Sequence, residues 1–484
     1  MKISSLRTVF RNMVTLFSKR LIEFSFLFFF HVYIARNLGV EEFGRFSFAL
    51  AFAMLFLGLA DVGLYRYLHR EAAKGLGDFK NIMGNVLVLK GFLSLLVMGL
   101  IVFTINMLGY ASSTKMLIYV IGVATVLYSY QLLFIGIFRG GQKMELEFAS
   151  NWFEKPLLLV FTVLALRMNL GVLSIAYILL VLRFISLLLS IFFYFKNFGS
   201  ITLHREKIEQ YFNLLKAAFP YGVFFILSLF YVNISTTILS YLKGNTDVGI
   251  YQVVMKLMIF FMIIPEAVTE SIFPRLTQYF YDAKENLNRL YSQMIKLLAF
   301  FAFPIAVFFL FMGDFIVDIT FGHKYAKAAQ LLPILGAIVI FRFLAYGVGA
   351  LLTAADLQKV RTTIVLICAI LNIALNIALI PNFSYVGATM AALITNLFLF
   401  IGYLAFATKK VKIKTNFADL SKFAVAFIIV TVFLSITAGY NSYLRIICSL
   451  GIYSLLVWQL KILTKHDTSI LKDLIFGKSS YVLE

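Results

Sequence analysis

The sequence predicts an all-α polytopic membrane protein with fourteen transmembrane helices. Three observations point there. Of 484 residues, 61% are hydrophobic and 17% aromatic, and 14% are charged. Soluble domains sit nearer roughly 45–50% apolar and about 25% charged. Apolar runs long enough to cross a hydrocarbon layer, about 20 residues in a helix, recur from end to end. The basic residues between them alternate in density from loop to loop, as charge-directed topology requires.

The runs fall at 12–36, 44–67, 82–107, 114–138, 148–167, 171–195, 218–242, 248–273, 292–313, 328–353, 361–381, 384–407, 420–438 and 442–461. Short loops fill the rest, so a separate soluble domain has no room. The longest connector, 196–217, contains HREKIEQYFNLLK. Its Ile208, Phe212 and Leu215 recur at helical spacing, so it reads as an amphipathic helix along the cytoplasmic interface. Counted over alternate loops from the N-terminus, one set carries 28 Lys and Arg and the other eight. That contrast predicts an even helix number, both termini cytoplasmic, and residence in the cell membrane. The first apolar run is long and no small-residue cleavage site follows it, so it reads as a span rather than a leader.

One turn is written twice. RNLGVEEFGRFSF begins at Arg36 and YLKGNTDVGIYQVV at Tyr241. Aligning Gly39 with Gly244 places Gly44 on Gly249, Glu42 on Asp247 and Phe46 on Tyr251, at one offset of 205. Glycine suits such a corner because it tolerates positive φ. The offset equals six helices, so both copies lie on one side. The chain therefore reads as two parallel six-helix repeats about an axis along the membrane normal, followed by two further helices. The expected organisation is an N-lobe over 1–196, an interfacial linker over 197–217, a C-lobe over 218–408, and the last two helices with a tail over 409–484.

The net charge of +20 would suggest nucleic acid in a soluble protein. Here it is assigned to topology and to anionic membrane lipids, and no nucleic-acid partner is expected. Cys368 and Cys448 lie in apolar runs and read as buried thiols, with neither a disulfide nor a metal. The five histidines show no metal spacing. GKSS at Gly477 lacks the earlier glycine of a phosphate loop, since position 472 is Lys, so no ATPase is indicated. The sequon at Asn233 lies in a span. No cofactor or metal is expected, and no acid pair or large loop suits a membrane enzyme such as a glycan polymerase or glycosyltransferase.

Several stretches resemble a known family. ARNLGVEEFGRFSFALAFAMLFLGLADVGLYRYLHRE, GNTDVGIYQVVMKLM with IFPRL after it, FGHKYAKAAQLLPILG and LNIALNIALIPNFSYVGATMAALITN are similar to Wzx-type polysaccharide flippases of the multidrug/oligosaccharidyl-lipid/polysaccharide exporter superfamily. The helix count is more distantly similar to MurJ-type lipid II flippases. The resemblance implies a bilobed fold of the MATE-like (MOP) type, alternating access, and an undecaprenyl-diphosphate-linked glycan as substrate for O-antigen or other surface polysaccharide, with polysaccharide polymerase machinery as a partner. Cation-coupled multidrug or metabolite export, lipid II flipping and a non-transporting scaffold stand as alternatives. Relatives carry an Asp in helix 7 where YVNISTTIL has Ser235, which puts coupling through that acid in doubt.

Seven basic residues lie inside spans and away from their ends: Lys19, Arg20, Lys90, Lys155, Arg183, Lys256 and Arg342. Ionisable groups there are costly and face a cavity or a partner. With Glu23, they are the candidate cationic cavity for a diphosphate headgroup, Arg binding bidentately and Lys as a point charge. The competing reading is local neutralisation. Glu23 lies three residues from Arg20 and four from Lys19, a spacing that lets helical side chains meet. Glu154 adjoins Lys155, but helical neighbours do not face each other. Lys90, Arg183 and Arg342 have no near-sequence acid. Glu266 and Glu270, one turn apart, are the candidates for proton or sodium coupling. Asp61 and Asp356, near helix ends, read as loop-solvated. Asn233, Asn372 and Asn376 suit interhelical hydrogen bonds or substrate contact.

Overall fold

Lipid offers the backbone no hydrogen bonds, so apolar runs of this length must satisfy their own N–H and C=O groups as helices. In the computed structural model, the described residues are 22–74, 79–202, 207–282, 284–413, 417–437 and 439–460, and they are helices joined by short turns. In order they form α1 (22–38), α2 (Val40–Asp61), α3 (Leu64–Lys74), α4 (Phe79–Met107), α5 (Ser112–Gly140), α6 (Met144–Asn151), α7 (Glu154–Arg167), α8 (Gly171–Phe198) and α9 (Ile208–Lys243). There follow α10 (Asn245–Phe261), α11 (Ile263–Asp282), α12 (Lys284–Phe311), α13 (Gly313–Thr320), a 3-10 helix (His323–Leu331), α14 (Leu332–Ala354), α15 (Gln358–Phe406), α16 (Phe417–Ile436) and α17 (Ser442–Gln459). Among the described residues, ten helical stretches are long and apolar enough to cross a bilayer. Two shorter apolar helices, Ser421–Ile436 and Tyr443–Gln459, come last.

The structure departs from the sequence-predicted spans where the backbone breaks. The run 44–67 ends at Asp61, because Val62 and Gly63 both take positive φ, 45° and 89°. The chain then restarts as the short α3. The run 148–167 is two helices parted at Trp152–Phe153. The interfacial helix expected over 197–217 is not a separate element. Its residues from Ile208 onward are the first turns of the 36-residue α9. By contrast, 361–381 and 384–407 are two helices as expected: within α15, non-helical backbone at Ser384 (φ 47°, ψ −129°), three residues after Pro381, parts them at a kink.

The chain divides into two compact units. One comprises Ser25–Gln252 with Ile373–Tyr385. Inside it, Leu64, Leu68, Val86, Phe134, Phe138 and Tyr194 form a buried core joining α3, α4, α5 and α8. The division falls at Gln252, within α10, rather than at the 197–217 connector, because α9 packs against α2. Glycines let α2 approach both the start of α10 and α9 at backbone distance. A Cβ on Gly44 would stand 1.8 Å from the Asn245 carbonyl oxygen, and one on Gly249 would stand 2.1 Å from that of Val40. At the other end of α2, a Cβ on Gly63 would be 2.3 Å from the Ala218 oxygen, and one on Gly222 would be 2.5 Å from the Gly63 nitrogen.

The twice-written turn thus meets its own copy. Gly39 and Gly244 cap their helices with φ of 85° and 87°. The aligned acids are both engaged. Glu42 pairs with Arg45 at 2.6 Å, and Asp247 accepts a hydrogen bond from the Ser384 hydroxyl.

The other unit comprises Val253–Asn372 and the described residues from Val386 onward, with 22–24. Its centre is α12 against α14, where Gly336 lies on the Ala306 backbone and Gly347 beneath Leu298. Here α11 and α16 also pack on α12.

Gly44→Ala and Gly249→Ala should each lower the thermal unfolding midpoint of the detergent-solubilised protein, since overpacking costs about 1–3 kcal/mol. Gly99→Ala, whose added Cβ meets nothing within 4 Å, should not. Equal shifts in the two classes would refute the close approach as a stabilising contact.

Candidate functional site

Charge buried in an apolar bundle needs a partner, and several of the candidates can be followed to one. In the Ser25–Gln252 unit, Lys90 on α4 is 0% exposed, with its Nζ 3.6 Å from Asp61 Oδ1 and 6.0 Å from the Tyr130 ring centre. Asp61 is equally buried. Its carboxylate accepts from the Gly63 and Tyr65 amides, both at 3.2 Å, and so caps α3. The reading of Asp61 as loop-solvated is corrected. The left-handed corner at Val62–Gly63 turns the chain back over the acid and encloses it.

Glu154 and Lys155 form an ion pair, against the expectation from helical neighbours. They open α7 just past the turn at Trp152–Phe153, and the two side chains converge there although they are chain neighbours. Arg183 on α8 is 5% exposed. It donates to Thr125 Oγ1 at 3.3 Å, lies 5.0 Å from the Tyr128 ring centre and interacts electrostatically with Glu154. Its Nε has no hydrogen-bond partner. Structure thus gathers Glu154 and Arg183 and places Lys90 with Asp61. Lys19 and Arg20 lie outside the described residues. Glu23, at the start of α1, is half-buried.

In the other unit, Arg342 on α14 donates to Asn396 Oδ1 at 3.3 Å and lies 5.8 Å from the Tyr346 ring centre. The Tyr346 hydroxyl donates to Glu266 Oε1 at 3.4 Å. Arg342, Tyr346, Glu266 and Asn396 therefore form one polar chain across α11, α14 and α15. Glu266 is half-buried and Glu270 exposed. Lys256 is half-buried on α10.

Sequence reasoning missed a second group of cations. Arg139 makes two hydrogen bonds to the Glu147 carboxylate, at 2.7 and 2.8 Å, and one to the Tyr65 hydroxyl at 3.0 Å. Burial, ahead of any charge, holds the Tyr65 phenol above its usual range, while burial with Arg139 and Arg66 holds His69 below its own. Arg70 reaches Tyr221 on α9 at 2.5 Å. Arg361 bonds Thr353 and lies over Tyr403. These residues sit at the ends of apolar runs, where Lys and Arg had been assigned to topology. The eight-residue separation of Arg139 and Glu147 carries no helical signal.

Residues 9–280 match the family described as polysaccharide biosynthesis protein. The chain belongs to that family. Residues 220–378 also match the MatE family. Among curated relatives, the chain is 22% identical over 392 residues to a probable low-salt glycan biosynthesis flippase, Agl15, of Haloferax volcanii, covering 79% of each. It is 24% identical over 385 residues to a putative O-antigen transporter of Shigella flexneri, covering 74% of this chain and 88% of that one. Its fold is similar to lipid II flippase MurJ in an inward closed conformation, with a TM-score of 0.72 at 17% identity over 97% of this chain and all of that one. A MATE-family multidrug transporter in an inward-facing conformation gives 0.62 at 15% identity, over 81% and 94% of the two chains. The chain is a multi-pass membrane protein of the exporter superfamily, as its motifs implied.

Against that family background, Ser235 has a structural account. It is 2% exposed and accepts from Asn376 Nδ2 at 3.0 Å. One turn earlier on α15, Asn372 donates to Thr395 Oγ1 at 3.1 Å. Asn233 donates to the Leu229 carbonyl of its own helix at 2.9 Å. This position thus holds a hydroxyl answered by a carboxamide.

Removing one partner of a buried ion pair strands the other, at about 3–5 kcal/mol. Asp61→Asn should therefore destabilise the protein strongly. Lys90→Met should cost less, because the Asp61 carboxylate keeps two amide donors, and the double variant should recover most of the loss. Thermal unfolding of the four proteins checks this, and additive losses in the double variant would show that the two groups act independently.

Proposed function

We propose that this protein is a flippase that moves an undecaprenyl-diphosphate-linked oligosaccharide across the cytoplasmic membrane for surface polysaccharide assembly, by alternating access. The reading is carried by the match to the polysaccharide biosynthesis family together with relatives, spanning about three quarters of the chain, that are named as glycan flippase and O-antigen transporter. Fourteen spans, cytoplasmic termini and two parallel six-helix repeats complete the arrangement.

The buried cations support it. Arg183 and Arg342 hold guanidinium groups among hydroxyl, carboxamide and ring partners, with Glu154 acting electrostatically on Arg183, and a diphosphate offers such groups charge-assisted bonds. Lys90 acts differently, because its charge is spent on Asp61. The polyprenyl tail stays in lipid while phosphate and sugars cross among the helices. The Ser235–Asn376 pair holds no carboxylate, so an acid-borne proton is not carried at that position. Glu266, bonded to Tyr346 beside Arg342, is the acid placed to carry it.

Deletion in a cell that depends on this protein should trap an undecaprenyl-linked oligosaccharide on the cytoplasmic leaflet and abolish the surface glycan. Unchanged glycan with altered drug resistance would instead support the multidrug reading that the MatE match favours. Arg183→Ala and Arg342→Ala should each cut export about tenfold, the value of one lost bond to a charged group at roughly 1.5–3 kcal/mol, with the protein retained in the membrane. Normal export by both variants sinks the headgroup assignment.

A further inference from the structure

A cavity of about 290 Å³ lies among α3, α4 and α9, lined by Tyr67, Asn85, Gln210 and Asn213 with apolar Ile82 and Leu214. It is at the small end of the range of ligand pockets, about 300–1,000 Å³, which suits one sugar ring. Among the described residues, no charged side chain lines it. Three carboxamides do, and each offers both donors and acceptors. Asn85 Oδ1 is buried there without a hydrogen-bond partner. Burial holds the Tyr67 phenol above its usual range, so it stays protonated and can donate. Such a lining answers hydroxyl groups. A diphosphate would call for cations.

The position adds a second constraint. The apolar spans Ile82–Met107 and Ile208–Lys243 begin at this cavity. On α9, Gln210, Asn213 and Leu214 line it, while Ile208, Phe212 and Phe219 are 76%, 67% and 51% exposed. One helix therefore presents a sugar-matching face and an apolar face over the same turns, at the start of a membrane span. That pairing fits a ligand with a polar head and a lipid tail.

We propose that this cavity docks the membrane-proximal sugar of a lipid-linked glycan at the membrane surface before translocation. The proposal rests on the flippase reading above and adds a loading site separate from the buried cations. It also assigns Asn85 and Asn213 a role in sugar selection.

The test uses the full-length protein in its native membrane, with benzoylphenylalanine in place of Asn213 and, in a second strain, of Gln210. Leu188, exposed on α8, is the control position. Cells are labelled with radioactive sugar and irradiated. Capture of polyprenyl-linked glycan at 213 or 210, several-fold above that at 188, is expected, and Asn85→Leu should abolish it. Capture of diacyl glycolipid or phospholipid alone, or no capture in strains that still export, overturns the docking site and leaves the flippase reading intact. Unchanged surface glycan and unchanged lipid-linked intermediates on deletion would remove the flippase reading itself.

Discussion

An uncompensated charge or backbone amide in hydrocarbon costs several kcal/mol, and the organisation of this protein follows from avoiding that cost. It makes every described span a helix. It makes the buried charges of the first unit come in matched sets, with Lys90 on Asp61, Lys155 on Glu154 and Arg139 on Glu147. It also sets how closely helices pack. No hydrophobic force drives apolar helices together in lipid, so contact must come from shape and hydrogen bonds. The glycines between α2 and α9 provide the shape, and Gln252 to Thr236 and Asn376 to Ser235 provide bonds.

Reading the chain by composition and periodicity recovered the membrane class and the approximate position of nearly every span, because apolar run length is a one-dimensional signal. Breaks inside runs were less visible. Val62–Gly63 and Trp152–Phe153 fall inside the expected runs, and positive φ at the first and a local turn at the second mark them. The break after Pro381 was legible, since proline is ordinarily a stop, and the backbone leaves helical geometry at Ser384. The doubled glycine turn was legible as a repeat. That the two copies would lie against each other was not, because alignment carries no information on contact.

The candidate site was legible as a list of costly residues and illegible as a set of partnerships. Asp61 lies far in sequence from Lys90, and Thr125 farther still from Arg183, so neither pair has a helical spacing to announce it. Neighbours misled in the other direction: Glu154 and Lys155 were discounted by a rule that holds only inside a continuous helix. Arg342 with Asn396 and Tyr346 with Glu266 show how long side chains from separate elements make one chain of contacts that spacing cannot foretell.

The enclosure of Lys90 by Asp61 bears on how the protein is made. A lone lysine entering the bilayer within a helix meets an insertion cost of about 2.5–3.5 kcal/mol. Asp61 is synthesised before Lys90, and its corner, with α3 as a short cap, precedes α4 in the chain. The acid is therefore at hand when the lysine reaches the membrane. Chain order thus places the counter-charge in the helix that precedes the lysine.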